Sequence, residues 1–201
     1  MPKIVAGLTG GIASGKSTVL EIFRRKGAHV LDCDKMAREA VKKGKPALSK
    51  IRRKFGPKVI KKDGSLNRPA LAKLVFADFR KRKALEAIVH PQVKQEVFRR
   101  LKKIKNGVVI VDVPLLFEAG WQHYFDKNIV VWAPRKAQIA RLAGRNGLAG
   151  SQAADRIAAQ MPLSKKKKLA DFTVDNSEKK ARAATQARHI YGRLLTLVTK
   201  A

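Results

Sequence analysis

The sequence is poor in several residue types, and each shortage excludes a class of protein. A single cysteine, Cys33, among 201 residues excludes an intramolecular disulfide framework and a cysteine-rich zinc module, and it permits a reducing compartment. No apolar run approaches the roughly 18 residues of a membrane-spanning helix, and the first residues lack the apolar segment of a signal peptide. We therefore expect a cytoplasmic protein without membrane insertion.

Acidic and aromatic residues are also scarce. Only 15 residues are Asp or Glu against 45 Lys or Arg, which gives a formal net charge of +30. Such a charge attracts polyanions of every kind, so we expect non-specific polyanion binding, although the charge alone identifies no partner. A hydrophobic content of 45% excludes a disordered polycation. Aromatic residues make up 6% and lie mostly in apolar runs, which disfavours a surface that stacks nucleic-acid bases.

Short β-branched runs predict a sheet. They lie at Lys3–Leu8, His29–Asp32, Val108–Val113, Asn128–Trp132 and Phe172–Val174, with helical spacing between them. Near-continuous apolar strands are typical of a parallel sheet covered on both faces. The sequence therefore predicts an α/β domain over residues 1–201, with a doubly wound, parallel, five-stranded sheet.

Two long stretches between the strands carry helical spacing instead. Residues from about 35 to 105 predict a helical insertion, and residues from about 135 to 168 predict a helical lid. The run Lys165–Lys168 at the end of the second stretch is interpreted as a solvated face.

The segment Gly10-Gly11-Ile12-Ala13-Ser14-Gly15-Lys16-Ser17 matches the phosphate-binding pattern G-x-x-x-x-G-K-[ST]. It follows the first predicted strand and opens a helix near Lys16, which is the context that the pattern requires. Backbone N–H groups of such a loop point at phosphate oxygens, and the helix N-terminus adds partial positive charge. Lys16 can reach the β- and γ-phosphates, and Ser17 can bind Mg²⁺. The segment predicts a nucleoside triphosphate site.

Carboxylates follow the second and third predicted strands. In open α/β sheets ligands bind outside the carboxyl ends of the strands, so these carboxylates should face the nucleotide. Strand alternation points Asp32 and Asp34 to the same side, where one takes a proton from an acceptor hydroxyl and the other orients it or holds a metal-bound water. Alternatively, either residue caps a helix beginning at Lys35. Asp112 is placed as a Mg²⁺ ligand, or else is satisfied by a local turn.

Three basic side chains are further candidates. Arg141 and Arg145 lie four residues apart on a predicted helix, where their repulsion is relieved if an anion such as a phosphate lies between them. The alternative is that both are solvated. His90 precedes Pro91, which we expect to end or begin a helix and leave the ring at a turn. A packed or capping role is favoured over catalysis for this histidine.

Taken in order, these segments resemble the dephospho-coenzyme A kinase family. The matching segments are Leu8–Thr18, Asp32-Cys33-Asp34, His90-Pro91, Val113-Pro114-Leu115-Leu116-Phe117-Glu118, Ala170-Asp171 and Asp175-Asn176. The resemblance implies a P-loop kinase fold with a coenzyme A-binding insertion and a lid. It also implies ATP-dependent phosphorylation of the ribose 3′-hydroxyl of dephospho-coenzyme A, with Mg²⁺ as the cofactor.

The resemblance and the residue chemistry together give one set of candidate site residues. The catalytic candidates are Asp34, Lys16 and Arg141, and the metal candidates are Ser17 and Asp112. The nucleotide-binding candidates are Gly10, Gly11, Ile12, Ala13, Ser14, Gly15, Lys16, Ser17, Thr18, Arg145 and Asn176. The substrate-binding candidates are Thr9, Asp32, Asp34, Arg68, His90, Leu115 and Glu118.

The sequence departs from the family at Asn67, where an Asp is usual, and in its excess of basic residues. A nucleotide kinase and a nucleic-acid-binding P-loop ATPase stay open as alternatives. We expect a monomer or a weak oligomer.

Overall fold

The computed structural model describes residues 2–146, 150–178 and 180–200, without the side chains of residues 145, 146 and 200. The chain divides into two compact units. The first comprises Met1–Asp32 and Ile104–Ala201, and the second comprises Cys33–Lys103. No helix in these described ranges has the length and apolar character needed to cross a membrane.

The first unit is built on a parallel five-stranded sheet, as predicted. The strands are β1 (Lys3–Gly10), β2 (His29–Asp32), β3 (Gly107–Asp112), β4 (Lys127–Trp132) and β5 (Phe172–Asp175). Their order across the sheet is β2-β3-β1-β4-β5, and every neighbouring pair is parallel. All five predicted strands are confirmed, with ends that shift by up to two residues.

Both faces of this sheet are apolar. Leu8, Ile110 and Ile129 are fully buried on the face that packs against α1 (Lys16–Arg25) and α9 (Lys180–Lys200). Val109 and Val130 point the other way along their strands and are also fully buried. The continuous apolar runs therefore reflect burial on both sides, which is what a parallel sheet requires.

The remaining helices of the first unit occupy the stretch for which a lid is predicted. They are α6 (Arg135–Asn146), α7 (Gly150–Ala158) and α8 (Leu163–Leu169), and a short 3-10 helix lies earlier at Trp121–Tyr124. Pro162 comes directly before α8, because proline tolerates the N-terminal end of a helix, where no backbone N–H partner is lost.

The second unit is helical. It contains α2 (Cys33–Ala40), α3 (Pro46–Phe55), a 3-10 helix (Pro57–Val59), α4 (Arg68–Ala77) and α5 (Phe79–Lys103). Its own core consists of Val41, Ala47, Leu48, Ile51, Val59, Leu66, Leu71 and Val75. An isolated antiparallel bridge joins Ile60 to Leu66. A separate core of this kind accounts for the compactness of the unit.

Two local expectations are wrong. Pro91 does not end a helix, because α5 runs through it from Phe79 to Lys103. The hydrogen bond that proline removes is offset by packing of α5 against α2, α3 and α4. Asp34 is not on a strand, since β2 ends at Asp32 and α2 begins at Cys33, so strand alternation does not relate the two carboxylates.

Candidate functional site

The phosphate-binding loop of the first unit leads from β1 into α1. Ser14 N donates to Gly11 O (3.1 Å), and α1 begins at Lys16 as predicted. Ala13 and Gly15 both have positive φ, of 57° and 90°. These dihedrals turn the backbone sharply before the helix, and its N-terminus then presents N–H groups that suit an anion. The loop has the geometry expected of a phosphate site.

Asn176 holds this loop from the end of β5. Its Nδ2 donates to Ser14 O (2.7 Å), and its backbone N donates to Trp132 O (2.8 Å). A Cβ on Gly15 would collide with the Asn176 Nδ2 atom. Glycine is therefore required at position 15 both for its positive φ and for the close approach of the amide.

Arg141 reaches the same loop from α6. One guanidinium nitrogen donates to Asn176 O at 2.7 Å, and the other lies 3.5 Å from Ala13 O and Ser14 O. The side chain is thus held against the loop rather than fully solvated. Arg145 lies on the same helix, and its side chain is outside the described residues.

Lys16 and Asp112 form an ion pair at the carboxyl edge of the sheet. The Lys16 ammonium contacts Asp112 Oδ1, and their side chains are 18% and 9% exposed. Asp32 is paired with Asp112 in the register of β2 and β3. The sheet therefore places the acidic last residues of β2 and β3 side by side, near the loop lysine. Ser17, in the first turn of α1, is exposed.

The segment after β3 is held by polar contacts. Thr9 Oγ1 donates to Pro114 O (2.9 Å), and Thr9 itself is fully buried. Glu118 Oε1 accepts from Met161 N (3.1 Å) and lies 2.8 Å from Lys166 Nζ. Of the other substrate candidates on this segment, Leu115 is half-buried. The prediction that Lys165–Lys168 is a solvated face is wrong at Lys166, which is 0% exposed.

Three site candidates belong to the second unit. Asp34 is exposed in the first turn of α2, where the helix dipole favours a carboxylate. Arg68 is exposed at the start of α4, and its guanidinium lies 3.5 Å from Arg38 O. His90 is half-buried inside α5, and burial lowers its pKa, although nearby Glu86 partly opposes this. The neutral imidazole is therefore favoured.

Asn67, the departure from the family pattern, caps α4. Its side chain accepts from Ala70 N (3.3 Å), as an aspartate at the N-cap position also would. The helix start is therefore preserved despite the substitution.

Two residues that contact the loop from elsewhere in the first unit were not predicted. Gln138 Nε2 donates to Ile12 O (2.6 Å), and Ile12 N donates to Gln160 Oε1 (3.0 Å). A lone glutamine in a helical stretch resembles a solvent-facing residue, so sequence offers no indication of these contacts. Lys166 lies three residues after buried Leu163 on the same face of α8, but nothing in the run of four lysines distinguishes it from its neighbours.

The donor set suits a hard cation bound together with a ligand. Among the described residues, no group of three or more His, Cys, Asp or Glu side chains is placed to hold a metal ion. Mg²⁺ commonly takes one or two protein oxygens, with phosphate and water completing its shell. The hydroxyl of Ser17 and the carboxylate of Asp112 are oxygen donors of this kind.

Comparisons with known proteins agree with one another. A family model described as "CoaE: Dephospho-CoA kinase" matches residues 4–182. Dephospho-CoA kinase of Symbiobacterium thermophilum is 47% identical over 175 residues, which cover 86% of this chain and 73% of that protein. Among solved structures, TT1252 from Thermus thermophilus superposes with a TM-score of 0.84 at 35% identity, covering 96% of this chain and 99% of that one. Dephospho-CoA kinase from Campylobacter jejuni gives 0.72 at 28% identity, covering 96% and 98%.

Proposed function

Because the chain belongs to the dephospho-CoA kinase family and has its α/β P-loop kinase fold, we propose that it transfers the γ-phosphoryl group of ATP to the ribose 3′-hydroxyl of dephospho-coenzyme A. This reaction yields coenzyme A and ADP and completes coenzyme A synthesis. The observation that carries the proposal is a phosphate-binding loop held by Asn176 and Arg141 in a chain matched by the family over residues 4–182.

The first unit binds ATP in this proposal. The N–H groups of the loop and of the first turn of α1 receive the phosphates, and Lys16 exchanges Asp112 for the β- and γ-phosphate oxygens. Arg141 is already held at the loop and offsets charge on the transferred group. Helices α6 to α8 act as the lid that excludes water around it.

Ser17 Oγ and the Asp112 carboxylate are the protein oxygens that would hold a Mg²⁺ ion bound with ATP. When bound, the ion neutralises charge on the β- and γ-phosphates. When Lys16 turns to the nucleotide, the Asp112 carboxylate would exchange its contact with Lys16 for one with the ion. The same exchange allows the Lys16 ammonium to contact the nucleotide phosphates.

The second unit receives dephospho-coenzyme A. Asp34, in the first turn of α2, is the proposed acceptor of the 3′-hydroxyl proton, and Asp32, at the end of β2, is the second carboxylate candidate for work on that hydroxyl. Arg68 provides a cation for the acceptor phosphates, and neutral His90 provides a hydrogen bond. Thr9, Leu115 and Glu118 belong to the first unit, where Thr9 and Glu118 hold the segment after β3 in place through hydrogen bonds.

An acceptor panel tests this function. ADP formation is measured in a coupled assay with dephospho-coenzyme A, AMP, adenosine and coenzyme A, each with Mg·ATP. We expect no turnover with coenzyme A, because it already carries the 3′-phosphate, and faster turnover with dephospho-coenzyme A than with AMP or adenosine, because both lack the rest of that acceptor. Equal turnover with AMP would favour the nucleotide kinase, and acceptor-independent ADP release would favour an ATPase.

Exposed aromatic side chains lie beside basic side chains at one turn of the second unit. Phe76 and Phe79 are 83% and 62% exposed at the turn between α4 and α5. The Arg82 guanidinium and the Lys83 ammonium lie 5.2 and 5.7 Å from the Phe79 ring centroid. At this turn aromatics and cations do interleave, contrary to the sequence interpretation. Exposed aromatic rings beside cations suit stacking of unpaired bases together with neutralisation of their phosphates. We propose weak binding of single-stranded nucleic acid here.

Salt and substitution test that binding. The double variant Phe76→Ala/Phe79→Ala is expected to weaken binding of a single-stranded oligonucleotide by about 1 to 3 kcal/mol per stacked base. The double variant should bind duplex DNA as the parent does. For both proteins the logarithm of duplex affinity should fall with the logarithm of salt concentration, with a slope near −0.9 per phosphate neutralised. Leu195→Ala, another exposed apolar residue, serves as the control. Unchanged single-strand affinity in the double variant would refute a stacking surface.

A further inference from the structure

Helix α8 carries four consecutive lysines, and one of them is buried. Lys166 is 0% exposed, whereas Lys165, Lys167 and Lys168 are exposed. A buried ammonium loses its hydration, and this loss must be offset by close polar partners. The position of Lys166 therefore depends on what its Nζ atom contacts.

The Nζ atom has two partners on the segment after β3. It lies 3.3 Å from Pro114 O and 2.8 Å from Glu118 Oε1. Pro114 O also accepts from Thr9 Oγ1 (2.9 Å). Pro114 comes two residues after Asp112, the partner of the loop lysine. Lys166 thus fixes both ends of the segment that follows the acidic strand end.

The same helix and the residues before it also support the phosphate-binding loop. Leu163, one turn before Lys166, lies so close to Gly11 that a Cβ there would be 3.0 Å from Leu163 Cγ. Gln160 Oε1 accepts from Ile12 N (3.0 Å), and Met161 N donates to Glu118 Oε1 (3.1 Å). One face of α8 and its preceding turn therefore contact both loops at the carboxyl edge.

We propose that Lys166 is a positioning residue for the nucleotide site. In this role Lys166 acts through other groups and does not contact substrate. It holds α8 against the Pro114–Glu118 segment. This contact sets the distance between the phosphate-binding loop and Asp112 that ATP requires. The proposal rests on the proposed function. It also changes the interpretation of Glu118 from a substrate contact to the anionic partner of this clamp.

An ionic clamp at this place has a physical reason. Apolar side chains of similar volume often stabilise a protein as well as a buried ion pair does, so stability alone does not demand the charge. A charge-assisted hydrogen bond is directional, and an apolar contact is not. The pair therefore specifies a geometry, and small displacements near a reacting centre can lower rates about 100-fold.

Three variants separate positioning from stability: Lys166→Met, the double variant Lys166→Met/Glu118→Gln, and the matched control Lys165→Met on the exposed side of α8. Each is measured for melting temperature, for affinity toward a fluorescent ATP analogue without acceptor, and for kcat and KM with dephospho-coenzyme A. The nucleotide affinity does not depend on which acceptor the enzyme uses. Failure of the proposed function is therefore distinguishable from failure of the clamp.

Lys166→Met is expected to melt at a lower temperature, because the half-buried Glu118 carboxylate loses its ammonium partner. The double variant removes that charge and should recover most of the melting temperature, yet bind the analogue and turn over about 10- to 100-fold less well. KM for dephospho-coenzyme A should stay unchanged, and Lys165→Met should match the parent. A double variant with recovered stability and parental nucleotide affinity and kcat would overturn the proposal, as would one that does not fold.

Discussion

Lys16→Ala is expected to lower turnover by about 10²- to 10³-fold, the usual effect of removing one preorganised donor from a developing negative charge. The side chain contacts Asp112 at the carboxyl edge of the sheet and is 18% exposed, so it fills no part of the core. The loop keeps its other supports, which are the hydrogen bonds from Asn176, Arg141 and Gln138. The variant should therefore fold, with some loss of stability because the buried Asp112 carboxylate loses its contact with Lys16, and activity should fall far more.

The measurement is kcat in the coupled assay together with the melting temperature. Lys26→Ala, the same change at the exposed C-terminal end of α1, is the matched control and should leave both unchanged. A folded Lys16→Ala variant with turnover close to that of the parent would refute the assignment of the loop.

Asp34→Asn is expected to reduce turnover while leaving ATP affinity intact. The amide keeps the shape of the side chain and cannot take the proton of the acceptor hydroxyl. General bases contribute about 10²- to 10⁴-fold, and a loose phosphoryl-transfer transition state places the effect toward the lower end. Because Asp34 is exposed in the first turn of α2, the substitution removes no core contact.

Single-turnover rates and the affinity for an ATP analogue separate the two expectations. Glu39→Gln, an exposed carboxylate on the same helix, is the control for a change of one charge. If Asp34→Asn reacts as fast as the parent, the base is elsewhere, and Asp32→Asn becomes the variant to measure.

The phosphate-binding loop and the sheet could be predicted because their determinants are local. The glycines and Lys16 lie within eight consecutive residues, and each strand is a contiguous apolar run. Two supports of the loop, Gln138 and Gln160, could not be predicted, because they contact it only after the chain has folded around the sheet. Family resemblance singled out Asn176, and geometry supplies its reason through Ser14 O and Gly15.

The errors have the same origin. Pro91 is a helix breaker by local rules, and packing of α5 against three other helices overrides them. Lys166 resembles its three exposed neighbours in sequence, and only the positions of Pro114 and Glu118 explain its burial. A run of like charges in the sequence does not show which of its members is buried, because the partner of each charge is set by tertiary structure.

The atom of dephospho-coenzyme A that becomes phosphorylated distinguishes the proposed kinase from its alternatives. Dephospho-coenzyme A is incubated with Mg·ATP and the protein, and the product is examined by phosphorus NMR and mass spectrometry. We expect one new phosphomonoester on the ribose 3′-oxygen, formed in equal amount to ADP, with no phosphate released. Phosphate on any other atom of the acceptor, or ADP accompanied by free inorganic phosphate, would contradict the proposed function.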